Sequence, residues 1–185
     1  MTTALSLRLE AELTPGVLKA LRSVLIGAPG YSTLVCGHPS DGSTAEAIFR
    51  ERPPDTSAEQ KYLFGIYLAD DMIGCLDAIR GWPDAGTCHI GLLLLDERYQ
   101  RHGYGREAMR LLQAEVQQWH GVATLRIGVV ANNSPAFPFW RAIGFTETGE
   151  REQNPAFTSD IVIMTAPLRR STRATFAATA RNPTA

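Results

Sequence analysis

The feature that most constrains this chain is a glycine-containing joint at residues 96–109, which reads DERYQRHGYGREAM. An apolar run at residues 90–95, IGLLLL, stops just before the joint and predicts a buried strand. Beyond it, apolar residues recur at helical spacing: Ala108, Leu112, Val116 and Trp119. This spacing predicts a helix over residues 103–119. The chain must therefore pass from strand to helix through Gly103 and Gly105.

A helix that begins at such a joint offers a binding site for an anion. The first N–H groups of a helix lack partners within the helix, and together with the helix dipole they attract phosphate. Four side-chain donors surround the same point: Gln100, Arg101, His102 and Arg106. A tight turn with exposed basic residues would give the same pattern, and a lone G-x-G does not separate the two interpretations.

The joint also fits a dinucleotide fingerprint, because Gly103 and Gly105 are followed by Ala108 in the spacing G-x-G-x-x-G/A. In that motif the strand runs directly into the first glycine, whereas here the polar residues 96–102 intervene. The acidic residue expected about 20 positions later is also missing. Both departures argue against a nicotinamide-nucleotide site.

The remaining chain reads as alternating strands and helices. We predict strands over residues 5–11, 62–68, 72–79, 87–95, 124–131, 145–152 and 160–168. We predict helices over residues 14–27, 44–50, 103–119 and 135–142, with a loop-rich stretch otherwise filling residues 28–60. The fold class that follows is α/β of the α+β type, with one mixed, mostly antiparallel sheet and helices inserted between its strands.

Length and composition limit the domain organisation. A chain of 185 residues suits one domain, which we place at residues 1–168. Residues 169–185 contain four arginines, no acids and few apolar side chains, so we predict a disordered basic tail.

Charge and cysteine usage exclude several functional classes. A net charge of -1 argues against a nucleic-acid or membrane-surface binder. No apolar run reaches the ~20 residues of a membrane span, and we expect no signal peptide. The three cysteines form no C-x-x-C pair, which favours reduced thiols in a cytoplasmic protein and argues against a metal site.

Two motifs in the chain resemble two motifs of the GNAT superfamily of acetyl-CoA-dependent N-acetyltransferases, and they follow one another in the same order. The phosphate loop of that family reads Q/R-x-x-G-x-G/A, which is similar to QRHGYG at residues 100–105. Its second segment reads N-x-x-A-x-x-F/L-Y-x-x-x-G-F, which is similar to NSPAFPFWRAIGF at residues 133–145. The close resemblance covers residues 87–145.

The resemblance implies a GNAT-like sheet of about seven strands, in which acetyl-CoA lies between two splayed central strands. It implies that backbone groups of Leu93 and Leu95 bind the pantetheine arm, that the amides of residues 101–106 hold the pyrophosphate, and that Asn133 reaches the pantetheine. Asn133 could equally cap the following helix. The cofactor-binding residues implied are Leu93, Leu94, Leu95, Gln100, Arg101, His102, Gly103, Tyr104, Gly105, Arg106, Asn133, Phe139 and Trp140.

His89 is our predicted general base, since it lies where the resembled pattern often carries glutamate and since an ordinary histidine pKa of about 6.5 suits proton transfer. A histidine that only hydrogen-bonds within the sheet is equally consistent with the sequence. Asp77 is the reserve base or ammonium-binding group, although a lone strand aspartate is commonly just solvated. Cys88 should face away from His89 on an alternating strand, which argues against a thiol nucleophile.

Trp140 departs from the resembled pattern. Many relatives carry tyrosine there, and its hydroxyl protonates the departing thiolate. An indole N–H is no useful acid, so Trp140 either lines the pocket or is a core aromatic.

The predicted activity is therefore acetyl transfer from acetyl-CoA to a primary amine of a small molecule or peptide N-terminus. Four acids could attract the cationic acceptor: Asp77, Asp84, Glu150 and Glu152. The alternative is a non-catalytic acyl-CoA-binding module of the same fold. We predict no metal, no nucleic-acid partner and no membrane partner, and we leave a homodimer open.

Overall fold

The computed structural model describes residues 4–169. The predicted basic tail therefore lies outside the described residues, except for Arg169. Within residues 4–169, no helix is both long and apolar enough to cross a bilayer.

Seven strands and five helices make up the fold of the described residues. The strands are β1 (Leu5–Leu9), β2 (Lys61–Leu68), β3 (Asp71–Arg80), β4 (Thr87–Leu95), β5 (Thr124–Val130), β6 (Thr146–Glu152) and β7 (Ile161–Pro167). The helices are α1 (Pro15–Ile26), α2 (Pro29–Cys36), α3 (Ala45–Arg50), α4 (Tyr104–Val116) and α5 (Ala136–Ala142). Short 3-10 turns lie at Ala58–Gln60 and Glu97–Tyr99. All seven predicted strands and four predicted helices are present; α2 was not predicted.

The strands form one sheet in the order β1-β2-β3-β4-β5-β7-β6. Every neighbouring pair is antiparallel except β4 and β5, which are parallel. The predicted mixed, mostly antiparallel sheet is confirmed. The single parallel pair arises because α4 connects β4 to β5 as a crossover helix.

Each face of the sheet is covered by a helix whose apolar side chains are buried. On one face, α4 buries Ala108, Met109, Leu112 and Val116 in the larger core cluster. On the other face, α1 buries Leu21, Val24 and Leu25 in a second cluster with Leu94 of β4. Thr14 caps α1 by accepting the Val17 N–H at 3.2 Å. β4 is therefore held from both faces of the sheet.

β4 pairs with β5 over only part of its length. Residues 87–90 pair with residues 124–127, and the pairing of these two strands ends at Ile90. On the other side, Asp77 of β3 lies opposite Leu92 while Ala78 lies opposite Ile90, so Gly91 is an extra, bulged residue. A Cβ at position 91 would lie 2.6 Å from Asp77 Oδ2, which explains the glycine. The predicted splay is present and begins at this bulge.

The unpredicted helix α2 is tied to both sides of the splay. At its start, the Gly30 N–H donates to Glu97 Oε1 at 2.7 Å, just after β4. At its end, the Thr158 N–H donates to the Val35 carbonyl at 2.9 Å, and the Asn132 amide donates to the Leu34 carbonyl at 2.9 Å. These bonds hold α2 between the segments that follow β4 and β5.

Candidate functional site

The glycine joint presents a row of backbone N–H groups without partners. None of the six amides of residues 101–106 donates a hydrogen bond to another described residue. Arg101 and Gly103 have positive φ angles of 62° and 84°, and a Cβ at Gly103 would meet nothing within 4 Å. Gly103 is also the N-cap of α4 and has no side chain to satisfy the first turn. Such a row of unpaired amides at a helix start fits an anion.

A cavity of about 770 Å³, here called the loop cavity, lies beside these amides. Ten of the predicted cofactor-binding residues line it: Leu93, Leu94, Leu95, Gln100, Arg101, Gly103, Gly105, Arg106, Asn133 and Phe139. The volume falls within the range typical of small-molecule sites. The loop cavity therefore unites most of the predicted cofactor-binding residues.

Three predicted cofactor-binding side chains contact other residues of the joint or the end of β4. The His102 ring lies 2.7 Å from the Gln100 carbonyl and stacks on Tyr104, and neither His102 nor Tyr104 lines the loop cavity. The Gln100 amide donates to the Leu95 carbonyl at 2.9 Å, so this side chain ties the joint to the end of β4. These side chains stabilise the conformation of the joint, whereas the N–H groups without hydrogen-bond partners are those of the backbone.

A second cavity of about 270 Å³, here called the strand cavity, opens where β4 and β5 diverge. Its walls come from β4, β5, β6, β7, α2 and α5, and four charged or ionisable side chains line it: Tyr31, His89, Arg126 and Glu152. Most other lining residues are apolar, among them Leu92, Ile127 and Phe157. This cavity is suited to a small group with polar ends.

The two cavities share five lining residues: Tyr31, Leu93, Asn133, Ala136 and Phe139. Only Tyr31 and Asn133 among these have polar side chains. Neither side chain forms a hydrogen bond with a described residue. No side chain caps α5, so Asn133 does not have the alternative role of helix cap. The junction thus holds two uncommitted polar side chains.

The environment of His89 differs from the one assumed for a base. Its Nδ1 lies 3.2 Å from Arg126 Nη1, and because a guanidinium only donates, Nδ1 must accept and the ring proton must be on Nε2. Burial and the positive charge of Arg126 lower the pKa of His89 to about 3. The ring is therefore neutral at physiological pH, and the assumed pKa near 6.5 was wrong.

Asp77 is buried rather than solvated. Its Oδ2 lies 2.8 Å from Lys61 Nζ, and the side chains of Lys61 and Asp77 are only 8% and 14% exposed. Its Oδ1 has no hydrogen-bond partner among the described residues. Burial raises the pKa of Asp77, while Lys61 opposes that shift. Asp77 does not line the strand cavity, although its Oδ2 borders the bulge at Gly91.

Two other sequence-based assignments concern Cys88 and Trp140. Cys88 is fully buried in the core cluster beneath α4, whereas His89 lines the strand cavity. Burial raises the pKa of Cys88 to about 12, so the thiol is inert as a nucleophile. Trp140 is 5% exposed and packs edge-on against Phe139 and Phe145, although it also touches the strand cavity. Trp140 is therefore both a core aromatic and part of the wall of the strand cavity.

Two residues of the site, Tyr31 and Arg126, were not predicted from the sequence. A signal for Tyr31 was available, because Pro29 at a first helical position, Gly37 after the last turn and apolar residues three and four apart predict a helix there. The sequence carried no such signal for Arg126, because a charged residue within a strand does not indicate which residues its side chain contacts. Among residues 4–169, no three histidine, cysteine or acidic side chains gather to hold a metal.

Comparisons with known proteins agree with this geometry. The profile of the Acetyltransferase (GNAT) family matches residues 33–145. An acetyltransferase from Thermus thermophilus is 26% identical, with a TM-score of 0.67, and the alignment covers 90% of this chain and 99% of that one. No curated protein sequence matches the chain.

Two further solved structures share the fold at lower identity. The ribosomal-protein-S18-alanine N-acetyltransferase from Escherichia coli is 19% identical, with a TM-score of 0.63 and coverage of 92% of this chain and 98% of that one. A GNAT family acetyltransferase from Elizabethkingia anophelis, with acetyl-CoA bound, is 15% identical, with a TM-score of 0.59 and coverage of 88% and 97%. Together with the unpaired amides and the splayed strands, the profile match establishes that the chain belongs to the GNAT acetyltransferase family.

Proposed function

We propose that this protein transfers the acetyl group of acetyl-CoA to the nitrogen of a primary amine. The observation that carries the proposal is the meeting of two cavities at the splay between β4 and β5. One cavity has free backbone amides for a diphosphate, and the other has charged side chains for a polar acceptor. A thioester at their junction would be open to attack from the strand cavity.

Acetyl-CoA fits the loop cavity by the chemistry of its walls. The six unpaired amides of residues 101–106 would hold the pyrophosphate, and Arg101 and Arg106, which also line the cavity, would add positive charge. Leu93 and Leu95 would offer backbone groups to the pantetheine arm, since β4 no longer pairs with β5 at that level. The Asn133 side chain would reach the arm from the β5 side.

In the reaction, the amine nitrogen forms a bond to the acetyl carbon, the bond from that carbon to sulfur breaks, and the electron pair stays on sulfur as a thiolate. The attacking nitrogen must lose a proton. Asp77 does not line the strand cavity, and in this arrangement neither nitrogen of His89 is free to accept a proton. Because Nδ1 of His89 accepts from Arg126, we propose that its Nε2–H orients the acceptor, and that the proton leaves through solvent in the cleft.

The thiolate also needs a hydrogen-bond donor, and Trp140 is packed into the core. We propose that the Tyr31 hydroxyl serves instead, since Tyr31 lies at the junction and its hydroxyl has no partner among the described residues. Burial raises the pKa of Tyr31, so the hydroxyl stays protonated and able to donate. A hydrogen bond is sufficient, because a thiolate whose conjugate thiol has a pKa near 8.5 is a tolerable leaving group.

A thiol-release assay with acetyl-CoA and a panel of primary amines tests the proposal. We expect amine-dependent release of CoA, reduced by at least roughly tenfold in His89→Ala. The matched control is His120→Ala, an exposed histidine outside both cavities, which should retain wild-type release. Acetyl-CoA binding with no release on any amine would contradict the proposal and favour the non-catalytic binding module.

A further inference from the structure

The charged residues of the strand cavity suggest which amines it accepts. Arg126 contributes a side chain that is 8% exposed, in a cavity whose other walls are mostly apolar. Removing a guanidinium from water is costly unless its N–H groups find acceptors. The N–H groups of Arg126 that have no acceptor therefore indicate which chemical group a ligand of this cavity must carry.

Only part of the Arg126 guanidinium is satisfied by the described residues. Of its five N–H groups, one points to His89 Nδ1 at 3.2 Å and one to Glu152 Oε1 at 2.5 Å. Nε donates to no described residue, and the face of the group packs on the Trp82 ring at 5.0 Å. Packing on the ring occupies the face of the planar group, and three N–H groups at its edge, among them Nε–H, have no acceptor among the described residues. A carboxylate is the acceptor that matches a guanidinium edge best.

Glu152 supplies the opposite charge. Its side chain is 47% exposed and lines the strand cavity, and only its Oε1 is hydrogen-bonded within the described residues. The other acids suggested by the sequence are less suitable. Asp77 and Glu150 do not line the cavity, and Asp84 is bonded to Gly86 and Thr87 in its own turn. Glu152 is thus the carboxylate that the cavity offers to an ammonium.

We infer that the strand cavity binds an amino carboxylate, a molecule that carries both a primary amine and a carboxylate. The carboxylate binds the free N–H edge of Arg126, and the ammonium approaches Glu152 before it loses its proton. The His89 ring is neutral, so it repels neither the carboxylate nor the ammonium of the bound molecule. A cavity of about 270 Å³ suits a molecule of amino-acid size. This inference rests on the proposed acetyl transfer.

The test compares ω-amino carboxylates with n-alkylamines of equal chain length as acceptors, together with α-amino acids and their amides. In the wild type we expect kcat/KM to favour the carboxylate-bearing member of at least one pair by about tenfold or more. Arg126→Gln should abolish that preference, and Arg126→Lys should keep part of it. Glu152→Gln should lower kcat/KM for both members, whereas Arg151→Gln, exposed and outside the cavity, should change neither.

A binding measurement separates this inference from the proposed function. An n-alkanoate, which has no amine to acetylate, should raise the melting temperature of the wild type and not that of Arg126→Gln. Acetylation of plain amines as efficiently as amino carboxylates, with no alkanoate effect, would overturn the inference and leave acetyl transfer intact. Stabilisation by alkanoate without turnover of any amine would support the anion site while contradicting the proposed function.

Discussion

The loop cavity and the strand cavity are adjacent but are built in different ways. The loop cavity relies on backbone amides from six consecutive residues, 101–106, whose conformation depends on Gly103. The strand cavity relies on side chains that come from β4, β5 and β6 and are far apart in sequence. Its charged groups meet only because the sheet brings His89, Arg126 and Glu152 together.

This difference separates what the two halves can recognise. Backbone amides bind a diphosphate without regard to the side chains around them, so this half can stay constant when the sequence changes. A cluster of side chains can be changed one residue at a time, so this half determines which acceptor enters. We therefore predict that substitutions in the loop cavity alter cofactor affinity and that those in the strand cavity alter acceptor preference.

The largest expected effect follows from placing a negative charge on the backbone site. In Gly105→Asp, the new carboxylate would lie at the second residue of α4 and compete for the same amides. We expect acetyl-CoA affinity to fall by about a hundredfold, or ~2.7 kcal/mol, measured by isothermal titration calorimetry. The matched control is Gly16→Asp at the second residue of α1, which should bind normally. Normal affinity in Gly105→Asp would contradict the backbone site.

A smaller effect is expected at the junction. Tyr31→Phe removes the proposed donor to the thiolate, so we expect kcat to fall by about tenfold with acetyl-CoA affinity unchanged. The pKa of the CoA thiol bound to the protein should rise, as read from thiolate ultraviolet absorbance against desulfo-CoA. The control is Tyr62→Phe, a partly buried tyrosine outside both cavities. An unchanged thiol pKa in Tyr31→Phe would exclude this role.

A separate effect concerns folding stability and the strand cavity alone. The pKa of His89 is about 3 in the folded protein and 6.5 as its ordinary value, so the unfolded chain binds the extra proton below about pH 6. Folding stability from His89 is present above that pH and is lost as pH falls, by about 1.4 kcal/mol per pH unit. Urea unfolding at several pH values should show a shallower decline in His89→Gln. Parallel declines would mean that His89 is not held neutral.

The sequence allowed the loop cavity to be predicted because its parts are local. Strand β4, the two glycines and helix α4 follow one another, and their periodicities and spacing need no long-range information. The splay between the central strands came from the family resemblance. Of the thirteen cofactor-binding residues that the family resemblance implied, ten line the loop cavity.

The strand cavity could not be predicted in the same way. A strand residue such as Arg126 gives no sign of its partners, and the pKa of His89 depends on burial and on a charge 37 residues away in sequence. Asp77 seemed a solvated acid because Lys61, its partner, lies on another strand. Long-range pairing, rather than any local preference, determines the chemistry of this half.

The most direct test of the central claim is a crystal structure of the full chain with acetyl-CoA. We predict that the pyrophosphate oxygens accept hydrogen bonds from the amides of residues 101–106, with the pantetheine between β4 and β5 beyond Gly91 and the thioester at Tyr31 and Asn133. A cofactor bound elsewhere, or a pyrophosphate held by side chains with those amides still unpaired, would contradict it.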